Sequence, residues 1–343
     1  MVLQDFLGPL SSSLKSSHAS QENRPSMNFY RRSLFYVEYL FLRFLAFFVN
    51  LLSFKTAMRL AEIIGSLLFL RPRRRQISLQ NLHAAFPEKS EAEIKTIGRA
   101  SMQNLVKTVV EFIRIPKISR NPERFIETEG EENVWEALRG GKGMIFVASH
   151  FGNWELMAIG TAAKGFPMHA IGRPVKNPFV YEYIKRLRGA TGLKSINQKG
   201  AVRATIRLLK QNQVVGMLVD QHAKRGEVWV NFFGRRAATS SLPALLSLKV
   251  GSPVLPIFFY RRKSGCSILA FGRPFRLIRT GRYEEDLIAN TQQYVDHLQE
   301  EIRKRPADWG NWMHNRWRPA QPPAPLGFYG SHAELPVGSK SAS

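Results

Sequence analysis

The sequence predicts an α/β protein: a mixed, largely parallel central sheet flanked by helices, with an N-terminal membrane-associated helical segment. Three observations predict it. From Gly143 onward, short apolar runs alternate with helical periods, the pattern of strands joined by crossover helices. The stretch Ser33 to Phe54 is apolar over a length that matches a bilayer. The hydrophobic fraction, 44% of 343 residues, is enough for a substantial core.

The elements follow in order. Residues 1–27 are polar and Ser-rich and lack the order of a secretory signal, so they read as a disordered leader. Residues 28–75 read as membrane-associated helices. In "SLFYVEYLFLRFLAFFVNLLSF", Glu38, Arg43, Asn50 and Ser53 interrupt a dense aromatic and aliphatic run. Arg43 and Asn50 share a helix face, with Ser53 near it, and such a polar stripe suits a helix lying in the membrane interface. A single span is the alternative. "AMRLAEIIGSLLFL" follows, then the basic cluster Arg71, Arg73, Arg74 and Arg75, the kind of flank that marks the cytoplasmic side and holds anionic headgroups.

Residues 76–319 read as the catalytic domain. Helices run to about 115, broken at Pro87, with Ser90 and Glu93 as a capping box for the next helix. Then "GMIFVAS" is strand, "WELMAIGTAAK" helix, "FPMHAIG" strand, "NPFVYEYIKRLRGATG" helix, "LKSIN" strand, "AVRATIRLLKQNQ" helix and "VVGMLVD" strand. "EVWVNFF", "SPVLPIFFYRR" and "CSILAFG" are further strands, some antiparallel. A last helix covers Tyr283 to Lys304. Residues 320–343 are Pro/Gly/Ser-rich and read as a disordered tail. Cys266 is the single cysteine, so neither an intrachain disulfide nor a Cys-based zinc site is available, and it reads as core filler.

A histidine with an acid five positions on occurs three times: His150/Glu155, His83/Glu88 and His222/Glu227. Chance alone gives about 0.6 such pairs in a chain of this composition. Context separates them. His83 precedes a helix break, and Glu227 follows a polar, basic loop. His150 ends a buried strand, Gly152 and Asn153 turn the chain, and Glu155 falls in the first turn of a helix. There its carboxylate is favoured by the helix dipole and is expected to reach back to one imidazole nitrogen, leaving the other as a base. Asp220 ends "VVGMLVD", and Arg173 follows "FPMHAIG". If these strands are parallel, all three side chains emerge at one edge of the sheet, where ligands of open α/β sheets gather. The chemistry suggested is deprotonation of an alcohol for acyl transfer. The plainer alternatives are a backbone-bonded buried His150, a solvated Arg188 in a basic helix run, and a capping role for Asp220.

The ordered set "RRRQISLQNLHAAFPEKSEAE", "SHFGNWE", "GRPVKNPFV", "LVDQ", "FFGRRAATSS", "GSPVLPIFFYRR" and "WGNWMHNRWR" resembles the late lauroyl/myristoyl acyltransferases of lipid A biosynthesis, within the lysophospholipid acyltransferase superfamily. The resemblance covers about Tyr36 to Pro319. It implies a glycerolipid-acyltransferase-like fold, with His150 as general base and Glu155 as its orienting partner. It implies that Arg173, Arg188, Asp220, Phe233, Gly234 and Thr239 serve the substrate. Where the broader group has Phe-Pro-Glu-Gly, this chain has "FFGRRAATSS", which argues against glycerol-3-phosphate as acceptor. The implied reaction moves an acyl chain from acyl carrier protein, or acyl-CoA, to a hydroxyl of a lipid A precursor at the cytoplasmic face of the bacterial inner membrane. No cofactor or metal is implied.

The charge fits that expectation. Lys plus Arg number 50 against 26 acidic residues, a net of +24. Such a surface prefers an anionic partner, and acyl carrier protein, anionic lipid headgroups and lipid A precursors are all acidic. Nucleic acid would also qualify by charge, but no nucleic-acid motif is present and the basic residues are dispersed. Other readings of the same fold are an acyltransferase acting on a lysophospholipid or another glycolipid or aminolipid, and a thioesterase in which water replaces the alcohol.

Overall fold

Strand β2 (Met144–Ala148) is buried at every residue, and its side chains divide between two cores. Met144, Phe146 and Ala148 join one apolar cluster, Ile145 and Val147 the other. That division is the period of two of a strand buried on both faces, as parallel sheets require. The structure is a computed structural model that describes residues 28–172, 174–198, 200–223, 227–262 and 266–317. The expected leader and tail lie outside the described residues.

Nine strands are described: β1 (Ile126–Glu129), β2, β3 (Met168–Gly172), β4 (Lys194–Asn197), β5 (Val214–Leu218), β6 (Glu227–Phe232), β7 (Arg235–Ser240), β8 (Val254–Arg261) and β9 (Ser267–Phe271). Seven form one sheet in the order β1-β9-β8-β2-β5-β3-β4. All neighbours are parallel except β8 and β9, which form an antiparallel pair. The expected mixed, largely parallel sheet is therefore present. β6 and β7 make a separate hairpin.

Ten principal helices surround the sheet: α1 (Phe29–Leu51), α2 (Phe54–Phe69), α3 (Pro72–Ala85), α4 (Glu91–Ile113), α5 (Glu131–Arg139), α6 (Trp154–Ala163), α7 (Pro178–Gly189), α8 (Ala201–Lys210), α9 (Leu242–Val250) and α10 (Tyr283–Lys304). Ser90 and Glu93 cap α4 reciprocally, as their spacing predicts. Sequence reading did not anticipate β1, β7, α5 or α9. β1 is four residues, "IETE", with no apolar run; it becomes a strand because the edge of β9 offers a parallel partner.

α1 is the one helix among the described residues long and apolar enough to cross a membrane. Three of its polar residues, Glu38, Arg43 and Asn50, have partners on the domain. Asn177 donates to the Phe35 carbonyl (2.7 Å) and to Glu38 (3.0 Å). Arg43 lies over the Tyr183 ring, 5.0 Å from its centroid. Asn50 donates to the carbonyls of Ala46 and Ile113. Arg114 donates to the carbonyls of Val49 and Leu52, and Lys117 to that of Asn50, so cations satisfy the orphan carbonyls at the C-terminus of α1. Of the polar stripe, Arg43 and Asn50 thus face the domain, while Ser53 caps α2. The opposite face, including Leu34, Val37, Phe41, Phe44, Phe48 and Leu51, is exposed. α2 packs Ala57 and Ala61 against Val106 and Val110 of α4 and exposes Leu60, Ile63 and Leu67.

Candidate active site

The register of β2 on β5 pairs Ala148 with Leu218. Two residues past each strand stand His150 and Asp220, so equal offsets from a fixed pairing bring them face to face. The expected emergence at one edge holds. His150 Nδ1 lies 2.8 Å from Asp220 Oδ1. Asp220 Oδ2 also accepts from the His150 backbone N–H (2.8 Å), Trp309 Nε1 (2.8 Å) and Asn311 Nδ2 (2.7 Å). Asp220 is 1% exposed and His150 7%.

A carboxylate this buried is costly unless its oxygens are satisfied. Burial pushes Asp220 up, but the charge and hydrogen bonds of His150, together with Trp309, outweigh it and hold the carboxyl below its ordinary value. Asp220 is therefore an ionised acceptor, and the imidazole places its proton on Nδ1. The Nε2 lone pair is left as the basic site.

Glu155 is not the partner of an imidazole nitrogen. It sits in the first turn of α6, where the sequence places it, but both its oxygens accept from Arg188: Nε at 2.8 Å and NH2 at 2.6 Å. This bidentate pair ties the start of α6 to the last turn of α7. Burial raises the Glu155 pKa, and Arg188 more than offsets it; the nearby His150 also favours the ionised form. Arg188 is thus paired and only partly exposed. In this geometry the carboxylate bonded to the imidazole is that of Asp220.

The turn between His150 and α6 is pinned from several sides. Gly152 has φ +60°, and a Cβ there would lie 1.8 Å from the Phe259 carbonyl oxygen. Asn153, fully buried, caps α6 by accepting from Glu155 N and Leu156 N at 3.0 Å. The C-terminal segment closes over the turn: Gly152 N–H donates to the Asp308 carbonyl and Gly310 N–H to the His150 carbonyl, each at 2.8 Å. The Trp154 ring stands edge-on to the imidazole, 4.8 Å between centroids.

The other expected site residues divide. Phe233 and Gly234 form the two-residue turn of the β6–β7 hairpin, with φ +54° and +72°. Phe233 packs against Phe86 and Trp312 and under the Arg303 guanidinium. Their contacts give them a hairpin role. Thr239 is buried and accepts from Arg316, which also donates to the Ala238 carbonyl. Asp220 raises the pKa of Arg316, so that buried cation is electrostatically coupled to the site, although burial dominates and lowers it to about 10. Arg173 lies outside the described residues. His83 is a surface residue paired with Glu91 at 2.8 Å. His222 follows Asp220 in the loop after β5, but His150 is the imidazole bonded to Asp220. Cys266 is only partly buried; that burial and the neighbouring Glu127 raise its pKa, which keeps it a thiol.

Two depressed carboxylates give a pH prediction. A group whose native pKa lies below its unfolded value adds stability that is complete above the unfolded value, here 3.8 for Asp220 and 4.5 for Glu155, and lost as pH falls through the native value. Thermal melts are expected to be nearly flat above roughly pH 5 and to fall below roughly pH 4. Glu155→Gln and Asp220→Asn are expected to flatten that acid limb. Limbs as steep as that of the wild type would assign the effect to other carboxylates.

A mixed α/β sheet that sets a histidine and an aspartate in hydrogen-bond contact at adjacent parallel strand ends has the geometry of a candidate general-base site. The model of the bacterial lipid A biosynthesis acyltransferases matches residues 26–319, and the chain belongs to that family. It is similar to the phosphatidylinositol mannoside acyltransferase of Mycolicibacterium smegmatis, 23% identical over 217 residues, 62% of this chain and 69% of that one. It is likewise similar to the lipid A biosynthesis palmitoleoyltransferase of Escherichia coli, 23% identical over 255 residues, 72% and 79% of the two chains. With the lipid A biosynthesis lauroyltransferase of Escherichia coli it is 28% identical over 200 residues, 56% and 62%.

Proposed function

We propose that this chain transfers a fatty acyl group from the thioester of acyl carrier protein to a hydroxyl of a lipid A precursor, with His150 as general base. The observation that carries this reading is the His150–Asp220 pair at the strand ends of a lipid A family acyltransferase. His150 Nε2 takes the proton of the acceptor hydroxyl as its oxygen attacks the thioester carbon. The tetrahedral oxyanion collapses, the C–S bond breaks, and the thiolate leaves with the proton returned by the imidazolium. An ester and free carrier thiol result, and the step as written needs no cofactor. Asp220 stabilises the imidazolium that forms between the two transfers.

The test is acyl transfer from acyl carrier protein, and separately from acyl-CoA, to a tetra-acylated lipid A precursor. His150→Ala is expected to remove ~10³-fold or more of the rate, with His222→Ala close to wild type. Wild-type protein that releases only free fatty acid would make it a thioesterase. Transfer to a mannosylated phosphatidylinositol but not to the precursor would support a second reading, an acceptor like that named for the mycobacterial relatives.

We further propose that the protein works on the cytoplasmic face of the bacterial inner membrane, with α1 and α2 lying on it and not spanning it. α1 is bonded to the domain from Phe35 to Leu52. That length is about 26 Å at the helical rise, close to the whole ~30 Å hydrocarbon core, so a spanning α1 would drag Glu38, Arg114 and Lys117 into lipid. Exposed Arg31, Arg32, Arg71 and Arg73 flank the apolar faces, where headgroup phosphates would meet them. A tag before residue 28 is expected on the same side of the membrane as the domain; protease protection of one but not the other would show a span. Phe41→Asp with Phe44→Asp is expected to release the protein from anionic vesicles in flotation. Unchanged flotation would sink the docking face.

A further inference from the structure

Beneath the turn that carries the candidate base lies a buried ion pair with no part in the proton transfer just described. Glu111, on α4, is 3% exposed. Arg261, at the end of β8, reaches it with Nε at 3.0 and 3.1 Å and with NH2 at 2.7 Å. Pairs of this kind seldom add net stability, because desolvation offsets the attraction. Their contacts therefore bear on what they fix.

Both partners of the pair reach the turn. Glu111 Oε2 accepts from Asn153 Nδ2 at 2.7 Å. An amide can sit either way round, and only a neighbour's chemistry selects one orientation. A carboxylate that can only accept turns the NH2 of Asn153 toward itself. The Asn153 oxygen is thereby aimed at the N–H groups of Glu155 and Leu156. Arg261, which can only donate, sends NH2 to Thr108 Oγ1 at 2.7 Å. With its oxygen so occupied, Thr108 shares its proton between the Asn104 carbonyl at 3.0 Å and the Gly152 carbonyl at 3.1 Å. Glu111 thus sets the residue that opens α6, and Arg261 sets the hydroxyl that faces the preceding peptide.

We infer that Glu111 and Arg261 are positioning residues: through Asn153 and Thr108 they hold the Gly152–Asn153 turn, and with it the spacing of His150 from Glu155. This rests on the acyltransferase reading for its kinetic arm only. Neither residue touches the reacting atoms. Loss of the pair misplaces the base relative to Glu155 and Arg188.

Asn153→Asp separates positioning from capping. An aspartate caps a helix as well as an asparagine does, so a mere cap keeps its function. Beside Glu111, however, it sets two carboxylates against each other. Asn153→Asp and Glu111→Gln are each expected to lower kcat at least ~10-fold with KM within about 2-fold, because the turn and not the acceptor site is disturbed. The double variant restores one negative charge and one amide in contact, with the donor and acceptor exchanged, and is expected to recover most of kcat. Amide hydrogen exchange at Glu155 and Leu156 gives a substrate-independent arm: fast in Asn153→Asp, slow again in the double variant. Wild-type kcat and slow exchange in Asn153→Asp would overturn the inference, as would a double variant no better than the product of its singles. Absence of acyl transfer by the wild type would fail the functional reading alone, leaving exchange to decide on the network.

Discussion

Asp220→Asn is expected to lower kcat by ~10³–10⁴-fold, about as much as removing His150 itself. The reason is donor counting. Asp220 accepts from the His150 backbone, His150 Nδ1, Trp309 Nε1 and Asn311 Nδ2. An asparagine offers one acceptor oxygen and presents an NH2 group to donors. If that NH2 faces the imidazole, Nδ1 must accept, the ring proton moves to Nε2, and the base is lost. If it faces Trp309 and Asn311, buried N–H groups lose their acceptor. The first outcome costs rate, the second stability, so kcat and Tm must be read together. The two residues act as one unit, so His150→Ala with Asp220→Asn is expected to be no slower than His150→Ala alone. Asp220→Asn with near wild-type kcat, or losses that multiply in the double variant, would remove Asp220 from the role of imidazole partner.

Gly152→Ala is expected to be the most damaging methyl group that can be added to the turn. Left-handed backbone alone costs a non-glycine residue ~1–2 kcal/mol. Here the new Cβ would also lie 1.8 Å from the Phe259 carbonyl oxygen, and that oxygen belongs to the middle of β8. Neither backbone can yield without moving the sheet or the turn. A loss of ~3 kcal/mol or more is expected, about 5–10 °C in Tm, with kcat falling further because His150 and Asn153 flank the site. Gly165→Ala is the control. Its φ is +84° but nothing lies within 4 Å of the added atom, so it carries the backbone cost without the clash. Equal melting temperatures for the two variants would mean that the close approach at Gly152 is relieved at little cost.

The strands that bear the site were legible because buried parallel strands write themselves as unbroken apolar runs. "GMIFVAS" and "VVGMLVD" gave β2 and β5, and their ends gave His150 and Asp220. The partner of the imidazole was not legible from spacing. Sequence distance favours Glu155, five positions on, whereas sheet order brings Asp220 from 70 positions away into contact. Trp309 and Asn311 stood in a quoted block, "WGNWMHNRWR", but nothing local says that this segment folds back over β2. Arg261 closes the strand run "GSPVLPIFFYRR", but nothing there pairs it with Glu111, since a buried pair drawn from a helix and a strand leaves no periodicity. On α1 the polar positions were legible, but not the neighbours they meet. A stripe that faces headgroups and a stripe that faces a neighbouring helix have the same period, and only Asn177, Tyr183 and Arg114 decide between them.

Helix α7 joins two places that sequence keeps apart. Its cap, Asn177, is bonded to α1, and its last turn delivers Arg188 to Glu155. Twelve residues of helix make a strut about 18 Å long. If α1 rests in lipid as proposed, that strut sets a fixed height of the reaction above the bilayer. Lifting a multi-chain lipid clear of its neighbours would cost ~0.8 kcal/mol for every methylene exposed, so an acceptor with several chains is in effect confined to the sheet of its fellows. Under the proposed function, a protein held at that height would work by lateral capture: the acceptor would diffuse in two dimensions and raise only its headgroup. Shortening or unfastening the strut, for instance with Asn177→Ala, is then expected to be felt in the surface density of acceptor needed for half-maximal rate, while turnover at saturation stays the same.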